Sequence, residues 1–140
     1  MLDNISIECQ IANNFRNYLT EKSYNIVQLI YPGGQASISI NYTNDYGEKK
    51  FCYPDVIAFS NNEILIGEIK PRFSGDDYKK LIRLKNSILT NIYNIIERYS
   101  KCNIDTLPIS YCLIHKQHSP PECQFGIKQY IFHNGTFVIR

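Results

Sequence analysis

The sequence predicts an α/β fold with a mixed β-sheet. Three observations lead there: an amphipathic stretch at 4–22 opens onto consecutive β-rich runs, a second amphipathic stretch covers 77–101, and another β-rich run follows at 109–116. Short turns between the early runs demand antiparallel pairing, whereas a strand, a long helix and a further strand form the crossover that joins parallel neighbours.

In 4–22, Ile7, Ile11, Phe15, Tyr18 and Leu19 recur at helical spacing. Runs rich in β-formers at 24–31, 36–43, 49–59 and 63–70 are divided by Pro32-Gly33-Gly34, the Asn44 to Gly47 turn and Ser60-Asn61-Asn62. From Asp76, the expected N-cap, residues 77–101 set Tyr78, Leu81, Ile82, Ile88, Ile92 and Ile96 on one broad face, which reads as a single long helix. After the 109–116 strand comes a proline-containing loop and a terminal hairpin, whose Asn134-Gly135 pair favours a two-residue type I′ turn.

Composition sets the outer limits. The 140 residues read as a single domain, 1–140, and 44% apolar with 20% charged residues excludes a disordered chain. Fifteen Lys and Arg against thirteen Asp and Glu leave a net charge of +2, and the pI near 8.2 is short of the value above about 9 that marks a strongly electrostatic nucleic-acid binder. With no apolar run of about 18 residues, no membrane partner is expected and the location expected is cytoplasmic. Five cysteines without a CxxC pair read as reduced thiols.

The informative segment runs from Pro54 to Lys70. Period-2 alternation puts Ile64, Ile66, Glu68 and Lys70 on one face and Asp55, Ile57 and Phe59 on one face of the preceding run, so charges continue two apolar rows. If Asn61-Asn62 form a two-residue loop, Phe59 pairs with Ile64, Ile57 with Ile66 and Asp55 with Glu68; a three-residue loop would slip that register. Paired carboxylates with Cβ atoms roughly 4.5–5.5 Å apart repel one another. A divalent cation between them removes that cost, and hard oxygen ligands suit Mg²⁺ or Mn²⁺. Glu8 shares the apolar face of the first helix and is expected to converge on the same acids.

Pro54-Asp55, twelve intervening residues and Glu68-Ile69-Lys70 resemble the PD-(D/E)xK motif of the restriction-endonuclease-like nuclease superfamily. Its core is a helix, three antiparallel strands, a helix and a further strand, with the aspartate in the second core strand, the ExK in the third and often a glutamate in the first helix. Residues 4–116 follow that order, the C-terminal β-hairpin is an addition, and the β-rich segment between Tyr31 and Phe51 departs from it. The resemblance implies a restriction-endonuclease-like core, a central mixed β-sheet flanked by helices, and metal-dependent hydrolysis of nucleic-acid phosphodiesters, DNA foremost. It implies Asp55, Glu68, Lys70 and Glu8 as catalytic residues. Asp55, Glu68, the Ile69 carbonyl and Glu8 would hold Mg²⁺ or Mn²⁺, and Lys70 would hold or help deprotonate a metal-bound water. The alternative is a non-catalytic module of the same fold, binding nucleic acid or a partner in a defence or mobile-element system.

Arg72, Lys79, Lys80 and Arg83 surround the start of the second helix, where free amides also favour phosphate, and are the expected backbone-binding patch. Lys85, the one charge within that helix's apolar arc, joins them. Cutting two strands needs two sites, so a homodimer is also expected, with the terminal hairpin as a twofold interface.

Overall fold

The computed structural model describes residues 3–100 and 107–140. Helix α1 (Asn4–Glu21) starts where the Asp3 carboxylate accepts the Ser6 N–H at 2.7 Å, and it buries Ile11, Ala12, Phe15 and Leu19. Two sheets follow from the β-rich runs. The larger contains β1 (Asn25–Leu29), β4 (Val56–Phe59), β5 (Ile64–Ile69), β7 (Ile109–His115), β8 (Lys128–His133) and β9 (Thr136–Ile139) in that spatial order. The smaller has β2 (Ile40–Thr43) between β3 (Lys49–Cys52) and β6 (Ile88–Leu89). Helices α2 (Gly75–Lys85) and α3 (Ile92–Glu97) complete the chain.

The main sheet is mixed, as expected. β1, β4 and β5 are antiparallel, β5, β7 and β8 run parallel, and β9 returns antiparallel. The two-residue Asn61-Asn62 loop produces the anticipated register, with Phe59 opposite Ile64, Ile57 opposite Ile66 and Val56 opposite Gly67. At the terminal hairpin Asn134 and Gly135 both have positive φ, 50° and 78°, as a type I′ turn requires.

Alternation along β4 and β5 divides the core between two faces. Val56, Ala58, Leu65 and Ile69 pack with Ile11, Phe15 and Leu19 of α1, whereas Ile57, Phe59, Ile64 and Ile66 pack with Leu81 and Leu84 of α2. Helices therefore flank the central sheet on both sides. None of the described helices is long and apolar enough to cross a membrane.

Three expectations are corrected. The run 77–101 is not one helix: α2 stops at Lys85, residues 88–89 join β2 as a strand, and α3 starts after Asn91; Lys101 lies outside the described residues. The cause is tertiary. Asn91 accepts the Asn41 N–H at 2.8 Å and donates to the Ser39 carbonyl at 3.0 Å, and the Thr90 N–H donates to the Asn41 carbonyl, so β2 captures this stretch with backbone bonds that a helix would have kept for itself. The N-cap of α2 is Ser74, not Asp76, because the Ser74 hydroxyl reaches the Asp77 N–H at 3.2 Å. The segment 49–59 also divides, at Pro54, into strands of different sheets, which leaves β1 as the first strand of the antiparallel trio.

Candidate active site

The carboxylate pair arises where β4 begins and β5 ends. The Asp55 main chain is fixed first: its carbonyl accepts the Ile30 N–H at 2.9 Å, and the preceding Pro54 carbonyl accepts from buried Gln28 at 2.8 Å. Its carboxylate then turns across the strand end and accepts the Ile69 N–H at 2.9 Å. Glu68, one register step beyond the Val56–Gly67 pair, is only 4% exposed and close enough to Asp55 for the aspartate to oppose its ionisation.

Burial, then the Asp55 charge, push the Glu68 carboxyl up to about 8 against the pull of Lys80. The Lys80 Nζ, projecting from α2, is 2.5 Å from Glu68 Oε1. Burial pulls Lys80 down, but Glu68, Cys52 and Asp77 pull it further the other way, and its net direction is up. Lys80 was grouped with the phosphate-binding patch; the fold turns it inward, beside the acid that the sequence motif singles out. Only contact between α2 and the sheet reveals that role.

Glu8 is half-buried and its carboxyl is pushed up, by burial first; Lys70 pulls it down while Asp55 and Asp77 add to the push. It reaches the neighbourhood from α1, on the opposite face of the sheet from Glu68 and Lys80. Glu8 thus feels Asp55 from the α1 side, while Glu68 meets it from the α2 side. Among the described residues no group of three His, Cys, Asp or Glu side chains is assembled to hold a metal. Lys70 is exposed and acts electrostatically on Glu8 and Asp77. Ile69 contributes its N–H to Asp55 and its side chain to the core.

Asp77 belongs to the cluster and was missed. Burial raises its carboxyl, Lys70 and Lys80 lower it, and its Oδ2 is buried without a hydrogen-bond partner. The signal is in the sequence: Ser74 followed three positions later by Asp77 has the spacing of a helix start, and Ser74 Oγ accepts the Asp77 N–H at 3.2 Å. The adjacent Asp55 and Glu68 carboxylates offer only oxygen donors, the type a hard divalent cation takes, and the orphaned Asp77 oxygen lacks any other partner.

Arg72, Lys79 and Arg83 are exposed around the start and outer face of α2. Lys85 points elsewhere, donating from its ammonium to the Phe125 carbonyl and tying α2 to the loop before β8. Compared with known protein families and with curated protein sequences, the chain matches none.

Proposed function

We propose that this protein is a metal-dependent nuclease of the PD-(D/E)xK type, hydrolysing phosphodiester bonds in nucleic acid, DNA foremost. The single observation that carries the reading is the pairing of half-buried Asp55 with buried Glu68 at the end of β5, flanked by Lys70 and Lys80. The order α1, three antiparallel strands β1, β4 and β5, α2, then parallel β7 supports it, because that is the order the sequence motif implies.

Asp55 and Glu68 would hold Mg²⁺ or Mn²⁺, and Asp77 and Glu8, whose carboxyls feel the Asp55 charge, would be the further acids available to bound water. The metal supplies a water of lowered pKa and stabilises charge developing on the phosphate. The chain does the rest. The Ile69 N–H keeps the Asp55 carboxylate aimed along the strand end, burial and the Asp55 charge oppose ionisation of Glu68, and Lys80 favours its charged form as a bound cation would. Lys70, exposed and interacting electrostatically with Glu8 and Asp77, is free to meet a scissile phosphate or to donate a hydrogen bond to the attacking water. Arg72, Lys79 and Arg83 would hold the flanking backbone.

Lys80 favours the second reading too. An acid already paired with a lysine suits a non-catalytic nucleic-acid- or partner-binding module of the same fold, in a defence or mobile-element system. Cleavage of two strands would take a homodimer, for which β9, an outer strand with exposed Val138 and Ile139, offers an edge.

The deciding experiment measures Mg²⁺-dependent cleavage of supercoiled, linear, single-stranded and branched DNA and of RNA by the wild type, Asp55→Ala and Lys70→Ala. Turnover by the wild type and its loss in Asp55→Ala supports the nuclease. A folded wild type inert on every substrate with either metal moves the reading to the binding module.

A further inference from the structure

Three adjacent parallel strands end on one edge of the main sheet, and their ends carry basic groups. β5 runs into Lys70-Pro71-Arg72, β7 into Lys116-Gln117-His118 and β8 into His133-Asn134. The first two turns are stitched together: the Lys116 N–H donates to the Pro71 carbonyl at 3.1 Å, and the Phe73 N–H to Gln117 Oε1 at 3.0 Å. The rings of His118 and His133 lie 5.8 Å apart.

Two depressions that share Lys116 and His118 follow this edge. The nearer, about 470 Å³, is bordered by Ile7 and Arg72, and Ile7 adjoins Glu8 of the carboxylate cluster. The farther, about 770 Å³, continues past Gln10 and Asn14 of α1 to His133 and Asn134. Among the described residues no acidic side chain lines either one.

Beneath the edge is a buried polar network that the carboxylate chemistry does not use. His115 and Gln129 are 1% and 2% exposed. His115 Nδ1 accepts the Gln117 N–H at 3.0 Å, so its proton sits on Nε2 and is donated to Gln129 Oε1 at 2.7 Å; Gln129 in turn donates to the Pro121 carbonyl at 2.9 Å. Buried polar groups are costly unless satisfied. Every bond of this network ends on its own members or on the 117–121 segment, which it holds in one conformation with Ser119 at a φ of 56°.

We infer that this edge is a track for the phosphodiester backbone of a nucleic-acid strand, leaving the carboxylate site past Arg72 and running over Lys116, His118 and His133. The inference rests on the nuclease reading for its ligand. At about 4.8 Å between neighbouring strands, the three turns span about 10 Å, more than a single phosphate covers, so the edge faces successive phosphates of one strand. The donors are cationic or imidazole groups facing no base-reading element, so the track positions a strand without selecting a sequence.

The test titrates a fluorescein-labelled single-stranded DNA with full-length protein in EDTA across a salt series, and separately follows Mg²⁺-dependent hydrolysis of that DNA and of bis(p-nitrophenyl) phosphate, which has no backbone to follow. Lys116→Ala is expected to lower the salt slope by about 0.7, and the triple change with His118→Ala and His133→Ala to weaken binding about tenfold, with hydrolysis of the small diester unchanged. All three side chains are exposed, so folding is preserved. Wild-type affinity and slope in the triple variant would overturn the track while leaving the nuclease intact, as would equal loss on the small diester, which assigns these groups to the reaction. Track-dependent binding without any hydrolysis by the wild type would support the track and overturn the nuclease. Absence of binding by the wild type overturns the track.

Discussion

Lys80 and Glu68, twelve positions apart in the sequence, meet at 2.5 Å where α2 crosses the end of β5. The pair is the internal counter-charge of the candidate site. A cation bound at Asp55 and Glu68, as proposed, would do the same work and would compete with the lysine for one carboxylate.

Lys80→Met is therefore expected to destabilise the metal-free protein by about 2 kcal/mol, less than a fully buried pair loses because Lys80 is partly exposed. Mg²⁺ should then raise the melting temperature of the variant more than that of the wild type. Thermal unfolding with and without Mg²⁺ measures both effects, and equal shifts would remove the competition.

Glu68→Gln separates stability from function. Because the folded carboxyl is raised to about 8 from its ordinary value of 4.5, its stabilising contribution is complete below about pH 4.5 and is lost as pH rises through about 8. The amide keeps a hydrogen-bond acceptor for Lys80 and carries no charge to repel Asp55. Urea denaturation at pH 8 should find the variant at least as stable as the wild type, by about 1 kcal/mol or more, while nuclease activity disappears.

Gly67 has no room for a side chain: a Cβ there would sit 2.7 Å from both Cys112 Sγ and Ile114 Cδ1 on the neighbouring strand. Gly67→Ala should cost about 1–3 kcal/mol. The displaced strand also carries Glu68, so Mg²⁺ affinity, read by calorimetry, is expected to fall together with stability.

Burial holds the His115 imidazole below its ordinary value of 6.5, which works against the hydrogen bond to Gln129 that raises it. The unfolded chain therefore takes up the proton first. Stability from this group is complete above about pH 6.5 and is lost as pH falls toward the lower folded value. His115→Leu, which strands the Gln117 N–H and the Gln129 side chain, should cost about 2 kcal/mol at pH 7.5 and flatten the acid limb of a stability profile recorded from pH 5 to 8.

Local chemistry determined more of this protein than its length suggests. Period-2 alternation and a two-residue Asn-Asn loop were enough to pair β4 with β5 and to set Asp55 beside Glu68, because a register slip of one residue would have turned every apolar side chain of β5 to the wrong face. Asn134-Gly135 specified its own turn because both positions need positive φ. The apolar helical pattern across 77–101, by contrast, was true of each half but blind to the strand between them, since the partner that captured Ile88 and Leu89 was β2, some 45 positions away.

The site divides the same way. Asp55 and Glu68 are neighbours through a short turn, so sequence spacing alone brings them together. Which helix approaches them, and from which face, is decided by packing. The α2 interface turned Lys80 and Asp77 toward Glu68 and Asp55, and α1 delivered Glu8 to the other side of the sheet. Charges on a helix surface look alike in sequence; only the buried stripe beneath them, set by long-range contacts, determines which one faces the carboxylates and which faces water.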